Sequence, residues 1–589
     1  MQNREIRYLG VCVLLLAIPL SLFGQRGLVE NRRLVIEGGT LIDGTGRAPI
    51  RNAVIVIEGN RIAAVGERGQ VQSPQGAQVI QAAGKFILPG FSDIHVHWDF
   101  WMPELFLAHG VTSAVDLDSF LPWIMEQKYA LEDGRMLGPR LFTTTSSLSG
   151  RLVWDSVASP SRIRVLASPE MGRRLAREVG PGRRQYNITK TYTELTPDQL
   201  QAIVEESHKA GRNVMAHLGS LDARQAAELG VDGIAHGSGI ALATISDPAK
   251  ADELRTFARL GISVDYPFFL MYHAYMDPAK MDDLVALLVE QNVRIEFEQV
   301  NTAGRWVPEY REAWLAEDTR LLQDPNLQYI PAQNRDRVLY YEPYDQLTDQ
   351  QRELVRQGYE KRKDFIGRFV RAGGKVLAGC DTASFVLSGI CLHRELELLV
   401  EAGLTPMQAI QAATRNNFEF LQEEELGTIE PGKLADLMIV REDPLANIRN
   451  TRTIDLVIKD GRIVDTNYHA DFVNPIPNPF VGGGFVNPRP FLRIIYPMSS
   501  KGLNQELTLI LEGSNLVDES VVEFDGVEVL SSPVKSTMLR ETMYNPVYTQ
   551  LEVTVPARLL NRYGSYRVIV KNPRPQGGIS NALIFFVAE

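Results

Sequence analysis

Cysteine is nearly absent from this chain of 589 residues. Of three, Cys12 lies in an N-terminal apolar run and only Cys380 and Cys391 lie in the body. One bridge at most can form there, so a disulfide framework is excluded as the scaffold. Two buried free thiols are an equally good reading, because Cys380 adjoins a candidate site residue, Asp381. A basic stripe is also missing. Lys and Arg number 61 against 72 Asp and Glu, and the formal net charge of -11 is spread along the chain, which argues against nucleic acid as a partner. The apolar run Leu9 to Phe23 is broken by Pro19 and falls short of the ~20 residues that a spanning helix needs. With Arg4 and Arg7 before it and Gly24 after it, residues 1–25 read as a cleaved signal peptide. The expectation is export to a periplasmic or extracellular space, with no membrane span left after cleavage.

The chain is too long for one core, and its text changes character several times. From Leu34 to Phe86 it reads as short strands and turns. Hydrophobic residues alternate on both sides of Gly59-Asn60, which marks a hairpin. Asp455 to Val464 repeats that pattern, and Ala435 to Val440 supplies another strand, so segments 33–88 and 419–468 are expected to pair into one small composite β-sandwich. Between them, over 89–418, apolar strand-like runs alternate with helical stretches. The runs are Ile94 to Trp98, Val111 to Leu117, Leu141 to Thr145, Ile188 to Tyr192, Val214 to Leu218, Gly233 to His236, Ile262 to Tyr266 and Val376 to Gly379. Eight such runs with helical spacers predict an α/β fold, a (β/α)8 barrel inserted into the composite domain. Thr196-Pro197 caps one legible helix, which Gly211 ends. Tyr266 to Lys375 exceeds an ordinary connection and predicts a helical insertion containing Trp306, Trp314, Tyr340, Tyr341 and Tyr344, able to form a lid. Residues 469–490, rich in Pro, Asn and Gly, read as a linker. Short strands at sandwich spacing follow over 491–589, an all-β domain.

The chemistry concentrates in Leu88-Pro89-Gly90-Phe91-Ser92-Asp93-Ile94-His95-Val96-His97. Side chains alternate along a strand, so His95 and His97 share one face and can turn two imidazoles toward a single metal ion. Matching single residues recur downstream, each on a short apolar run: Lys190, His217, His236 and Asp381. In a parallel barrel, residues at the C-terminal ends of different strands meet at one mouth. His95 and His97 would come from the first strand, and the other four from the fourth, fifth, sixth and eighth. The chain has nine histidines, and those outside this set carry no ligand motif. His208 and His393 lie in helical patterns and His109 at a helix end, which predicts helix-surface or capping roles; His273 and His469 are assigned nothing.

This ordered set resembles the amidohydrolase superfamily of metal-dependent hydrolases. Gly110 to Asp116, Gly138 to Leu141, Ala210 to Val214, Gly230 to His236 and Leu404 to Thr414 resemble its imidazolonepropionase-like branch, which includes metallodipeptidases, and Gly427 to Leu437 resembles that family's re-entry into the small β domain. The resemblance spans about Leu34 to Val464. It implies two divalent metal ions held by His95, His97, Lys190, His217, His236 and Asp381. Zinc suits the imidazole and carboxylate mixture, with manganese, cobalt and iron left open. Burial beside cations depresses a lysine pKa and frees an amine that can capture carbon dioxide. The resemblance implies this use of Lys190 as a carboxylated, metal-bridging ligand. It further implies hydrolysis of a C–N amide bond in a small, dipeptide-like substrate by a metal-bridging hydroxide, with Asp381 shuttling the proton. Tyr192, two residues beyond Lys190, is the candidate substrate contact. Many dipeptidases of the branch carry Gly-Gly-His after the third strand, where Thr143 to Arg151 stands here, so specificity is open. A one-metal cyclic-amide hydrolase or deaminase and a non-hydrolytic binding protein remain as alternatives, as does homo-oligomerisation. The last hundred residues resemble the IPT/TIG group of immunoglobulin-like domains, on Leu509 to Leu516, Val522 to Gly526 and Gly577 to Ala582.

Overall fold

Strand-forming residues around the tight turn at Gly59, whose φ of 61° a residue without Cβ adopts freely, build the first sheet. The fold is that of a computed structural model, in which residues 33–588 are described apart from 120, 145–146, 151–162, 178–185, 260–266, 340–346, 383–385, 477–489, 518–519, 535–537, 541–546 and 573–577. Residues 1–25, the expected signal, lie outside the described residues, and no described helix is long and apolar enough to cross a membrane. Strands β1 (Arg33–Leu41), β2 (Ile50–Glu58) and β3 (Arg61–Glu67) pair antiparallel, and β4 (Gln78–Gln81) and β5 (Phe86–Pro89) join β1 in parallel.

The barrel follows directly. Its strands are β6 (Phe91–Val96), β7 (Val111–Asp116), β8 (Arg140–Thr143), β11 (Ile188–Thr191), β12 (Asn213–Ala216), β13 (Gly233–Ile234), β14 (Arg294–Glu296) and β15 (Val376–Leu377). The short β9 (Ser147–Ser149) and β10 (Ile163–Val165) hang from β11 as a flap. All barrel pairings are parallel, and single bridges Thr144–Ile188 and Val96–Thr382 close the ring. Ile94, Val115, Ile188, Met215 and Leu377 fill the interior over Phe418 and Phe420. A Cβ on Gly233 would stand 2.8 Å from the Phe420 ring, so a larger residue there would force that ring aside.

One expected strand is corrected. The seventh position, between β13 and β15, is held by Arg294–Glu296, paired on both edges. Ile262 to Tyr266 therefore is not that strand, and it lies outside the described residues. The stretch read as one insertion is in fact divided by β14. Helix Pro278–Glu290 precedes it, and helices Gln299–Trp306, Pro308–Leu322, Ala332–Leu339 and Asp349–Arg371 follow. Trp306 and Trp314 are buried in the main core; Tyr340, Tyr341 and Tyr344 lie outside the described residues. The helix after β11 runs Pro197–Lys209 with a full Thr196–Gln199 capping box, as its sequence predicts.

Past the barrel, β16 (Leu437–Val440), β17 (Ile454–Lys459) and β18 (Arg462–Val464) return to β5, with Ile439 opposite Ile87. The two distant segments thus form one eight-stranded sheet, with Leu34, Ile36, Ile55, Ile87 and Leu437 in its core. Within 469–476, the described part of the expected linker, Asn474 fastens to the barrel by donating its amide to the Phe100 carbonyl at 2.9 Å. The described residues from β19 (Phe491–Tyr496) onward form a strand-rich unit around Leu509, Leu511, Val522, Phe524, Val553 and Phe585.

Candidate metal centre

The first and last barrel strands are locked together directly beneath the mouth. The buried Asp93 carboxylate accepts the backbone N–H groups of His95 and Cys380, both at 3.1 Å. From the helix Arg415–Leu421, Asn417 donates its amide to the carbonyls of Ser92 and Ala378 at 2.9 Å. A Cβ on Gly379 would meet His95 Cβ at 2.9 Å, so the glycine permits this close approach. Just past their strands, His236 and Asp381 adopt φ of 59° and 50°. Non-glycine residues seldom do so, and such strain clusters at functional sites.

This framework gathers the side chains singled out in the sequence. The His97 Nε2 lies 2.7 Å and the His95 Nε2 3.4 Å from one oxygen of Asp381, Oδ1. Ring centroids of His95 and His97 are 5.5 Å apart, those of His95 and His236 4.7 Å, and those of His236 and His217 4.3 Å. Lys190 is 2% exposed, and among the described residues its Nζ has no hydrogen-bond partner. Burial is the main cause that lowers the lysine pKa, with Glu296 and Asp381 opposing it. Burial likewise holds the imidazoles of His95 and His217 well below their ordinary range and brings His236 down to about 3. For Asp381, burial pushes the carboxyl upward, but the neighbouring His95 and His97 outweigh it and hold it well below the usual carboxylate range. The cluster therefore offers the neutral imidazoles of His95, His217 and His236, an ionised carboxylate and a buried amine with no hydrogen-bond partner among the described residues. That donor set fits divalent metal ions.

Sequence reasoning missed two acidic residues here, Glu296 at the end of β14 and Glu298 just beyond it. Glu296 accepts from the His236 backbone N–H at 2.9 Å and faces the His95 Nδ1 at 3.2 Å. Glu298 meets the His236 Nδ1. With carboxylates on both Nδ1 atoms, each ring carries its proton there and keeps the Nε2 lone pair available, the usual outer support of a ligating histidine. The available signal was the spacing itself, Glu296 and Glu298 two positions apart after a short run, as His95 and His97 are. Tyr192 reaches the cluster too, its ring edge-on to His217 at 4.9 Å.

The remaining histidines divide. His208 pairs with Asp232 at 2.8 Å on the surface, and His109 caps the helix Pro103–Ala108, as expected. The helix-surface expectation for His393 is corrected. It is fully buried, bonding Thr451 Oγ1 at 2.8 Å and the His109 carbonyl at 2.9 Å, because its helix is covered on several sides. Cys380 and Cys391 are free and buried, with sulfurs and an Asp93 oxygen within 4.8 Å of one another.

The model of the amidohydrolase family matches residues 86–464. The 5-methylthioadenosine/S-adenosylhomocysteine deaminase of Symbiobacterium thermophilum is 41% identical over 66 residues, 11% of this chain. The match spans only 15% of that relative's own length. Among solved structures, the ochratoxinase of A. niger is similar at 18% identity and a TM-score of 0.52, over 75% of this chain and 99% of that one. A prolidase complexed with N-methylphosphonate-L-proline is similar at 20% identity and a TM-score of 0.51, over 73% and 99%. These likenesses speak to the fold.

Proposed function

The chain belongs to the amidohydrolase family, and from that premise we propose that it is a metal-dependent hydrolase of carbon–nitrogen bonds whose substrate is a small, dipeptide-like amide. The observation that carries this reading is the buried Lys190 amine, which has no hydrogen-bond partner among the described residues, together with the cluster of four imidazoles and Asp381. His95, His97 and Asp381 would hold one ion, His217 and His236 a second, and Lys190, carboxylated on Nζ, would be shared by both. When bound, such ions, zinc by preference of this donor set, acidify water and polarise a carbonyl.

The chain's own residues do the rest. Burial favours the neutral Lys190 amine, the form that captures carbon dioxide. Ionised Asp381, whose Oδ1 lies against the Nε2 atoms of His95 and His97, takes a proton from the attacking water. It then returns that proton to the departing amine, which must leave neutral. Glu296 and Glu298 hold the His95 and His236 rings with Nε2 turned inward. Tyr192, at the rim against His217, contacts the substrate. The signal-like residues 1–25 support export, and the strand-rich terminal unit, similar to IPT/TIG domains in its sequence, is read as a packing or adhesion module.

The test is turnover by protein stripped with a chelator and reloaded with zinc, manganese or cobalt. Dipeptides and N-acyl amino acids are compared with cyclic amides and amino-heterocycles, scoring amine against ammonia release. The reading expects metal-restored cleavage of the open-chain amides. Ammonia release from heterocycles alone would replace it with a deaminase, and tight ligand binding with no turnover of any amide would replace it with a binding protein.

A further inference from the structure

Beside His236, a cavity runs between the turns that follow β12 and β13, helix Pro248–Arg259 and helix Asp349–Arg371. Leu218, Leu242, Leu254, Ala258, Phe269 and Leu270 give it apolar walls. Its polar lining residues are His236, Ser238, His273, Glu298, Thr302 and Arg362, and each is hydrogen-bonded to a neighbouring side chain or to backbone. Arg362, 5% exposed, donates Nε to Gln299, one Nη to His273 Nε2 at 3.0 Å and the other to the carbonyls of His236 and Phe297.

A guanidinium only donates, so His273 accepts at Nε2 and must carry its proton on Nδ1, which it gives to the Phe269 carbonyl at 2.7 Å. Both of its nitrogens are thereby engaged. Ser238 accepts from the Leu218 N–H at 2.9 Å and donates to the Ala235 carbonyl at 2.8 Å. Glu298 is engaged by His236 and Asn301. A polar group entering this space would leave water and meet groups already committed to one another, whereas an apolar group would leave water for apolar walls.

We propose that this cavity receives a bulky apolar side chain, branched aliphatic or aromatic, carried on one side of the scissile amide, and that Ala258 and Leu242 set its depth. The proposal rests on the amide-hydrolase reading, since the cavity adjoins the reacting centre only if His236 is part of it. Arg362 is a positioning residue here, tying the turns after β13 and β14 through the carbonyls of His236 and Phe297.

The experiment uses the zinc-loaded full chain and dipeptides in which each position in turn is Gly, Ala, Leu or Phe. Leu or Phe is expected to exceed Gly at one of the two positions by on the order of 100-fold in kcat/KM. Ala258→Phe, which fills the cavity from its wall, is expected to lower kcat/KM for those substrates at least tenfold while Gly and Ala substrates stay within twofold. Leu254→Ala, which enlarges it, is expected to raise Phe relative to Leu and covers the case in which the filled variant does not fold. A wild-type protein indifferent to side-chain size, or preferring a charged one, would overturn the proposal. So would an Ala258→Phe protein with full metal content that slows all substrates alike. Calorimetric binding of N-acetyl-leucine amide against N-acetyl-glycine amide separates the two readings. Preferential binding of the leucine amide without turnover leaves the cavity standing and the hydrolase reading fallen; equal binding removes the cavity's role whatever the turnover.

Discussion

Replacing Lys190 by Met opposes two effects of one side chain. The Lys190 Nζ is buried without a hydrogen-bond partner among the described residues, and an unsatisfied buried polar group costs about 1–3 kcal/mol. Methionine keeps an unbranched stem of similar length and removes the polar end. In protein stripped with a chelator, Lys190→Met should therefore be more stable than wild type by about 1–3 kcal/mol. In metal-loaded protein the order should invert. Ligand binding stabilises the native state by about 4 kcal/mol at a thousandfold excess over Kd, and the variant lacks the group that both ions would share. The assay is urea unfolding followed by tryptophan fluorescence, with metal content measured on the same samples. All six tryptophans lie between Trp98 and Trp314, so the signal reports the barrel and leaves the terminal strands silent. A stripped variant less stable than wild type would show that the amine makes a structural ion pair. A loaded variant retaining two ions would remove Lys190 from the ligand set.

Asp381→Asn should keep the fold, since shape is retained, but lose on the order of 10²–10⁴ in kcat; near-normal turnover would end its role as proton shuttle. Glu298→Leu should weaken metal binding about 10–100-fold in competition with a chromophoric chelator, because the His236 Nδ1 loses its carboxylate. Burial pushes the Glu395 carboxyl up to about 8, well above its ordinary value of 4.5. The folded state then binds this proton more tightly than the unfolded one, so the group's contribution falls as pH rises from 4.5 to about 8 and stays low above that. Glu395→Gln should match wild type below pH 4.5 and exceed it above about pH 8; a difference independent of pH would contradict the shift.

What the sequence made legible tracks how far each element obeys a local rule. His95 and His97 stand out because a strand alternates and because Pro89-Gly90 sets the strand's start. Thr196 announces its helix because capping is chemistry within four residues. β14 obeys no such rule. Only Arg294, Ile295 and Glu296 make it up, and two of the three are charged, so no apolar run marks it. Its identity lies in pairing with β13 and β15, partners tens of residues away. Glu296 and Glu298 were hidden with it. The burial of His393 was hidden for a related reason: its helix buries Ile390 through Leu396 on every side, which sequence periodicity alone does not announce.

The central claim is that Lys190 and the four imidazoles, with Asp381, hold paired cations. Anomalous X-ray diffraction from crystals of metal-loaded protein tests it most directly. The account predicts two peaks, one within about 2.0–2.2 Å of His95, His97 and Asp381 and one equally near His217 and His236, with density for a carboxyl group on Lys190 Nζ between them. A single peak beside an unmodified lysine, or no peak at those histidines, would contradict it.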